Sequence, residues 1–128
     1  MADEDAARQA RRQYRASGIP AIDAEPEVRP HLRDGEQLLA VRASALLDHS
    51  PHEDGRFGSG GSLYLTTLRL LHLGQAVFGL ELKDIDEQAL AGERLLLRLR
   101  DGAGIAIEVP EPRLLRVQIA AALAATRA

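Results

Sequence analysis

Glycine closes both ends of the stretch Gly60-Gly61-Ser62-Leu63-Tyr64-Leu65-Thr66-Thr67-Leu68-Arg69-Leu70-Leu71-His72-Leu73-Gly74, which constrains the fold more than any other part of the chain. It reads as two short strands joined by a tight turn at Thr66–Arg69. Leu63 and Leu65 lie two residues apart, so they share one strand face, and Tyr64 takes the other. This turn sets Leu65 opposite Leu70, both toward a core, and leaves Tyr64, Leu71 and Leu73 together on the outer face. The opposite register would carry Arg69 inward, and burying an unpaired guanidinium is costly.

The flanking segments add strands of the same kind. Gln37 to Leu47 alternates, with Leu39, Val41, Ala43, Ala45 and Leu47 on one face and Arg42 and Ser44 on the other. Phe78, Leu80 and Leu82 alternate in a further strand, and Lys83 to Leu90 forms a short, irregular one broken by Gly92. Leu95, Leu97 and Leu99 face one way in the segment 94–100, against Arg94, Leu96, Arg98 and Arg100. Ile105, Ile107 and Val109 are the next inward set, after the turn signal Asp101-Gly102. A three-residue loop, Asp101 to Ala103, would set Leu97 against Ile107 and Leu95 against Val109, with Gly102 or Ala103 in an unusual conformation. Pro110 and Pro112 end the sheet. Residues 112–126 contain no Gly and no further Pro, and carry Leu115, Ile119, Ala122 and Leu123 on one helical stripe, with Leu114 and Val117 partly outside it. The expected fold is mainly β with a C-terminal α-helix. Six or seven consecutive antiparallel strands form a strongly bent sheet or barrel, and the helix plugs its open end.

The pattern Gly-x-Leu-Tyr-Leu-Thr-x-x-Arg-Leu, here Gly61 to Leu70, resembles the central hairpin of the GRAM and bacterial PH-like families. The resemblance covers roughly residues 32–127 and implies a PH-like domain over 32–128, preceded by an N-terminal arm, 1–31, with no counterpart in the family. PH-like domains that bind phosphoinositides are similar in carrying a basic loop between their first two strands. The matching loop, Asp48 to Gly60, holds His49, His52 and Arg56 against Asp48, Glu53 and Asp54, so inositol phosphates are expected not to bind.

The arm opens with a helix over residues 3–17, with Asp3, Glu4 and Asp5 at its positive end and Ser17-Gly18 and Pro20 as its stop. Arg8, Arg11, Arg12 and Arg15 recur at helical spacing, with Ala6, Ala7 and Ala10 opposite. Such a face is either solvated, with Glu4–Arg8 support, or docks on an anionic surface. Residues 18–35 carry Pro20, Pro26 and Pro30 and read as a linker or surface arm that Ile19, Ile22 and Val28 could anchor.

The chemistry in view excludes more than it selects. There is no cysteine, hence no disulfide or thiolate zinc site. No apolar run approaches the roughly 20 residues of a membrane span, and the N-terminus does not resemble a secretory signal, so a cytoplasmic protein is expected. A net charge of −3, one lysine (Lys83) and four aromatics argue against nucleic acid. No nucleophile elbow, phosphate loop, dinucleotide fingerprint or metalloprotease motif occurs, so neither an enzyme nor a cofactor or small-molecule substrate is expected. His49, His52, Glu53 and Asp54 have metal-ligand residue types, but one loop does not preorganise them. What remains is a non-catalytic interaction module that binds protein or itself, through an outer apolar set of Tyr64, Leu71, Leu73 and Leu96. Either the arm or a second copy of the chain must cover that set, and the second copy is favoured. The alternative is a peripheral membrane module meeting anionic lipid through Arg8, Arg11, Arg12, Arg15, Arg94, Arg98 and Arg100.

Overall fold

A computed structural model describes residues 2–48, 60–74 and 77–127. Two helices frame seven strands: α1 (Ala2–Ser17), β1 (Leu38–Asp48), β2 (Gly60–Thr66), β3 (Arg69–Gly74), β4 (Val77–Glu81), β5 (Ile85–Ala91), β6 (Arg94–Leu99), β7 (Gly104–Glu108) and α2 (Pro112–Arg127). Single 3-10 turns stand at Arg29–His31 and Leu82–Asp84. Every strand pairing is antiparallel, in the order β4-β3-β2-β1-β7-β6-β5. The sheet has a four-stranded half, β1–β4, and a three-stranded half, β5–β7. They join where Leu46–Asp48 of β1 pairs with Ala106–Glu108 of β7. Among the described residues β4 and β5 do not pair, so the sheet is not closed into a barrel. No helix is long and apolar enough to cross a membrane.

The central hairpin follows the expected register, with Leu65 opposite Leu70 and Tyr64 opposite Leu71. Gly61 opposes Gly74, and a Cβ on either would overlap a backbone carbonyl of the facing strand. The backbones therefore approach too closely there for any side chain. The main core gathers Leu63, Leu65, Leu70, Leu80, Leu95, Leu97, Ile105 and Ile107 from both halves of the sheet. Leu115, Ile119 and Ala122 of α2 close it, each at most 1% exposed.

Two registers differ from the alternation in the sequence. In β1 the pairing shifts between Leu38 and Ala40, which places both Leu39 and Ala40 in the main core. The inserted residue inverts the phase, because the side-chain period is two. Val41 therefore packs against the outer cluster, and Arg42, expected outward, turns inward and is buried. In the β6–β7 hairpin Leu97 opposes Ile105 and Leu95 opposes Ile107. The loop is three residues long, as expected, but it is Arg100 to Gly102. Leu99 N–H donates to the Ala103 carbonyl at 2.9 Å, and Gly102 takes φ +91°. Glycine tolerates that conformation and alanine does not, so Ala103 returns to the extended chain beside Gly104.

The arm lies on the sheet. Val28, 0% exposed, packs with Leu38, Tyr64 and Leu71, and Ala24, Leu32, Val41 and Leu73 surround them. Ile22 bridges to Leu38 through backbone pairing, and Tyr64 Oη donates to Glu25 at 3.4 Å. Of the two covers expected for Tyr64, Leu71 and Leu73, the structure places the chain's own arm there, Tyr64 and Leu71 being only 3% and 2% exposed. The physical reason lies in the 3-10 turn at Arg29–His31, which Pro30 starts and which folds the linker back onto the hairpin instead of leaving it extended. Leu96, 37% exposed, sits on β6 in the other half of the sheet and does not belong to that cluster.

Candidate functional site

A polar staple holds the arm to the hairpin and accounts for the Thr-x-x-Arg spacing. Thr66 Oγ1 accepts from the backbone N–H of Leu68 at 3.1 Å and Arg69 at 3.0 Å, closing the turn. The same hydroxyl donates to the buried carboxylate of Glu36. Arg69 reaches that carboxylate through Nε at 3.0 Å and Nη2 at 3.2 Å, and also donates to the His31 carbonyl. Arg33 N–H completes the set at 2.8 Å from Glu36. Burial by itself would raise the Glu36 pKa, but the bonds from Arg69, Arg33 and Thr66 outweigh it and hold the carboxyl below its ordinary range. A second, exposed pair ties the arm to β4, with Arg33 donating to both Glu81 oxygens at 3.0 and 2.9 Å. The arginine in the motif is thus a structural clamp, committed to Glu36 and unavailable to a ligand.

The buried Arg42 has a similar role. Its guanidinium donates to the Pro110 carbonyl at 3.0 Å, the Val41 carbonyl at 3.2 Å and Gln118 Oε1 at 3.0 Å, all neutral acceptors. Burial among them pushes its pKa down. It fixes the start of α2 against β1.

That helix start also receives α1. Glu111 takes φ +53° ahead of Pro112, and the first free amides of α2 are capped from elsewhere. The Asp3 carboxylate accepts from Arg113 N–H and Leu114 N–H, each at 3.0 Å. Ala7 and Ala10 of α1 then bury against Val117, with Tyr14 and Leu114 at the margin. Leu114 and Val117, which lie outside the main apolar stripe of α2, form the seam for α1.

Docking α1 beside α2 creates an open groove of about 960 Å³ bounded by α1, α2 and β5. Its volume falls in the range of ligand-binding clefts, roughly 300–1,000 Å³. Ala120, Ala121 and Ala124 make a smooth floor, and Tyr14 and Ile19 form one wall. The residues Ile85 to Gln88, at the start of edge strand β5, form the other. Gln88 Nε2 donates to the Arg116 carbonyl at 3.4 Å and ties that wall to the floor.

The anionic-surface candidates divide sharply. Arg98 lies 2.9 Å from both Asp86 and Glu87, and these contacts, the Asp86 bond foremost, raise its pKa. Arg94 stands 4.0 Å from Glu108, and Arg100 Nε donates to the Lys83 carbonyl at 2.6 Å. Arg94, Arg98 and Arg100, the candidates for an anionic surface on the sheet, thus stand on a face of mixed charge. These side chains are engaged by acids and a carbonyl that the pairing of β5, β6 and β7 brings beside them. On α1, Arg8 pairs with Asp5, while Arg11 and Arg15 line the groove and Arg12 does not. Sequence reasoning missed the groove floor. The signal available was the run of alanines on α2 away from Leu115 and Ile119, a helix face on which Arg116 is followed only by small side chains.

The loop carrying His49, His52, Glu53, Asp54 and Arg56 lies outside the described residues. Among the described residues no three His, Asp or Glu side chains gather as a metal site would require.

No known protein family matches the chain, and no curated protein matches it either. Among solved structures it is similar to the C-terminal domain of an unknown protein from Leishmania infantum, at 18% identity and a TM-score of 0.55. The match covers 73% of this chain and 93% of that one, a likeness of fold alone.

Proposed function

We propose that this chain is a cytoplasmic, non-catalytic, protein-binding module of the PH-like type. The GRAM-like hairpin pattern supports the family reading, as do the strand order and the C-terminal helix that plugs the sheet. The observation that carries the functional reading is the groove between α1, α2 and β5. It is large, open and floored by small apolar side chains beside β5, which among the described residues has no strand on its outer side. Such a surface suits a polypeptide segment, whose backbone meets the strand and whose side chains meet the helix. The hairpin face no longer serves as the binding surface, because Val28 and its neighbours occupy it. The membrane alternative keeps the exposed arginines of α1 but loses the three on β6 and its loop.

The test is a peptide-display selection against the immobilised full chain, followed by amide shift mapping of the enriched peptides. The reading expects shifts in residues 85–88 and 120–125. It fails if no peptide is enriched while vesicles containing phosphatidylserine sediment the protein.

A further inference from the structure

We infer that the groove selects an acidic polypeptide segment, with carboxylates meeting Arg11, Arg15 and Arg116 and an aliphatic side chain resting on the alanine floor. The inference rests on the protein-binding reading of the same groove and adds the chemistry of the partner. Three arginines line this concavity, all three are exposed, and among the described residues none of them has an ion-pair partner. The two carboxylates on the opposite wall, Asp86 and Glu87, are different. Arg98 lies 2.9 Å from both and offsets one of their two negative charges from the sheet side, so the three arginines outnumber the acidic charge that remains. The groove of a chain with net charge −3 is thus locally basic. Arginine clusters recognise carboxylates through paired, charge-assisted bonds, and a floor of alanine allows a chain to approach closely.

The arrangement also separates the four arginines of α1 by function. Arg11 and Arg15 face the groove with Tyr14, whereas Arg8 and Arg12 do not line it. A generalised attraction to anions would use all four alike. Recognition in the groove uses two of them together with Arg116, from a different helix.

The probe is a fluorescein-labelled 12-residue peptide of glutamate and leucine, compared with its lysine–leucine counterpart, titrated by anisotropy into the full chain. The acidic peptide should bind at least tenfold more tightly than the basic one. The triple variant Arg11→Gln, Arg15→Gln and Arg116→Gln should weaken it tenfold or more. The control Arg8→Gln with Arg12→Gln should leave it within twofold. All variants retain good helix formers at exposed positions, and a thermal melt checks that each folds. Equal losses in both variants, or none in the triple variant, overturn the inference, as does equal binding of the two peptides. A triple variant that does not melt cooperatively is replaced by Ala121→Trp, which fills the floor and should abolish binding. Unchanged binding in that variant also overturns the inference. If displayed peptides map to the groove but carry no acidic residues, the protein-binding reading stands and the acidic preference fails. Vesicles with phosphatidylserine, run in parallel, should compete no better than neutral vesicles, and selective competition by them overturns a polypeptide partner.

Discussion

Replacing Arg69 with alanine removes the cation of the staple and leaves its anion behind. The Glu36 side chain is 0% exposed and that of Arg69 13%, so the pair is largely withdrawn from water. Arg69→Ala deletes two of the hydrogen bonds to the Glu36 carboxylate, at 3.0 and 3.2 Å, and the one to the His31 carbonyl. Leaving a buried charge without its partner costs about 3–5 kcal/mol. In a domain of this size that is roughly 10–20 °C in Tm. The pH dependence gives an independent sign. In the native protein the Glu36 pKa is depressed. Its contribution is therefore present above the unfolded value of about 4.3 and is lost as pH falls through the folded value. In the variant, burial is no longer opposed by the guanidinium, so the folded pKa rises and the carboxyl prefers to be protonated. The gap between the two proteins should be widest at pH 7 and narrow toward pH 4. Urea denaturation at both pH values measures it. A double-mutant cycle with Glu36→Gln and Arg69→Met should return a coupling energy above about 1 kcal/mol. A loss below about 1 kcal/mol at pH 7, or a gap that widens in acid, would refute the reasoning that this motif arginine is a clamp.

Asp3→Ala should cost about 1 kcal/mol, the usual value of an N-cap, and speed hydrogen exchange at the Arg113 and Leu114 amides. Val28→Ala removes two buried methyl groups and should cost about 1.5 kcal/mol in chemical denaturation. Leu71→Glu should unfold the protein instead of converting a dimer to a monomer, and a folded monomer by light scattering and circular dichroism contradicts the covered hairpin. Deleting residues 112–128 uncovers the core that Leu115 and Ile119 close. Each such side chain is worth about 2–5 kcal/mol, so near-UV circular dichroism of the truncated chain should show no fixed packing.

The hairpin register and the apolar stripe of α2 were legible from residue order alone, because both depend on local periodicity. Leu65 opposite Leu70 follows from a four-residue turn and a side-chain period of two. Leu115, Ile119 and Ala122 follow from the 3.6-residue period of a helix. One inserted residue defeats that logic, as β1 shows. The shift near Leu39 answers to the partner strand, and it alone decides that Arg42 points inward to Pro110 and Gln118. The loop at Arg100–Gly102 likewise depends on which residue must carry positive φ, a choice between neighbours that alternation cannot make. The outer apolar set was visible as a surface in need of cover, but its cover was not. Val28 lies more than thirty positions before Tyr64, and nothing local links them. The groove was least visible of all, since its lining comes from α1, β5 and α2, and its arginines differ from the others only in what they face. Composition and period set which side chains are apolar and which elements they form. The long-range pairing Asp3–Arg113, the staple from Glu36 to Arg69 and the seam of Ala7 on Val117 arise only when the folded chain brings distant residues within bonding distance.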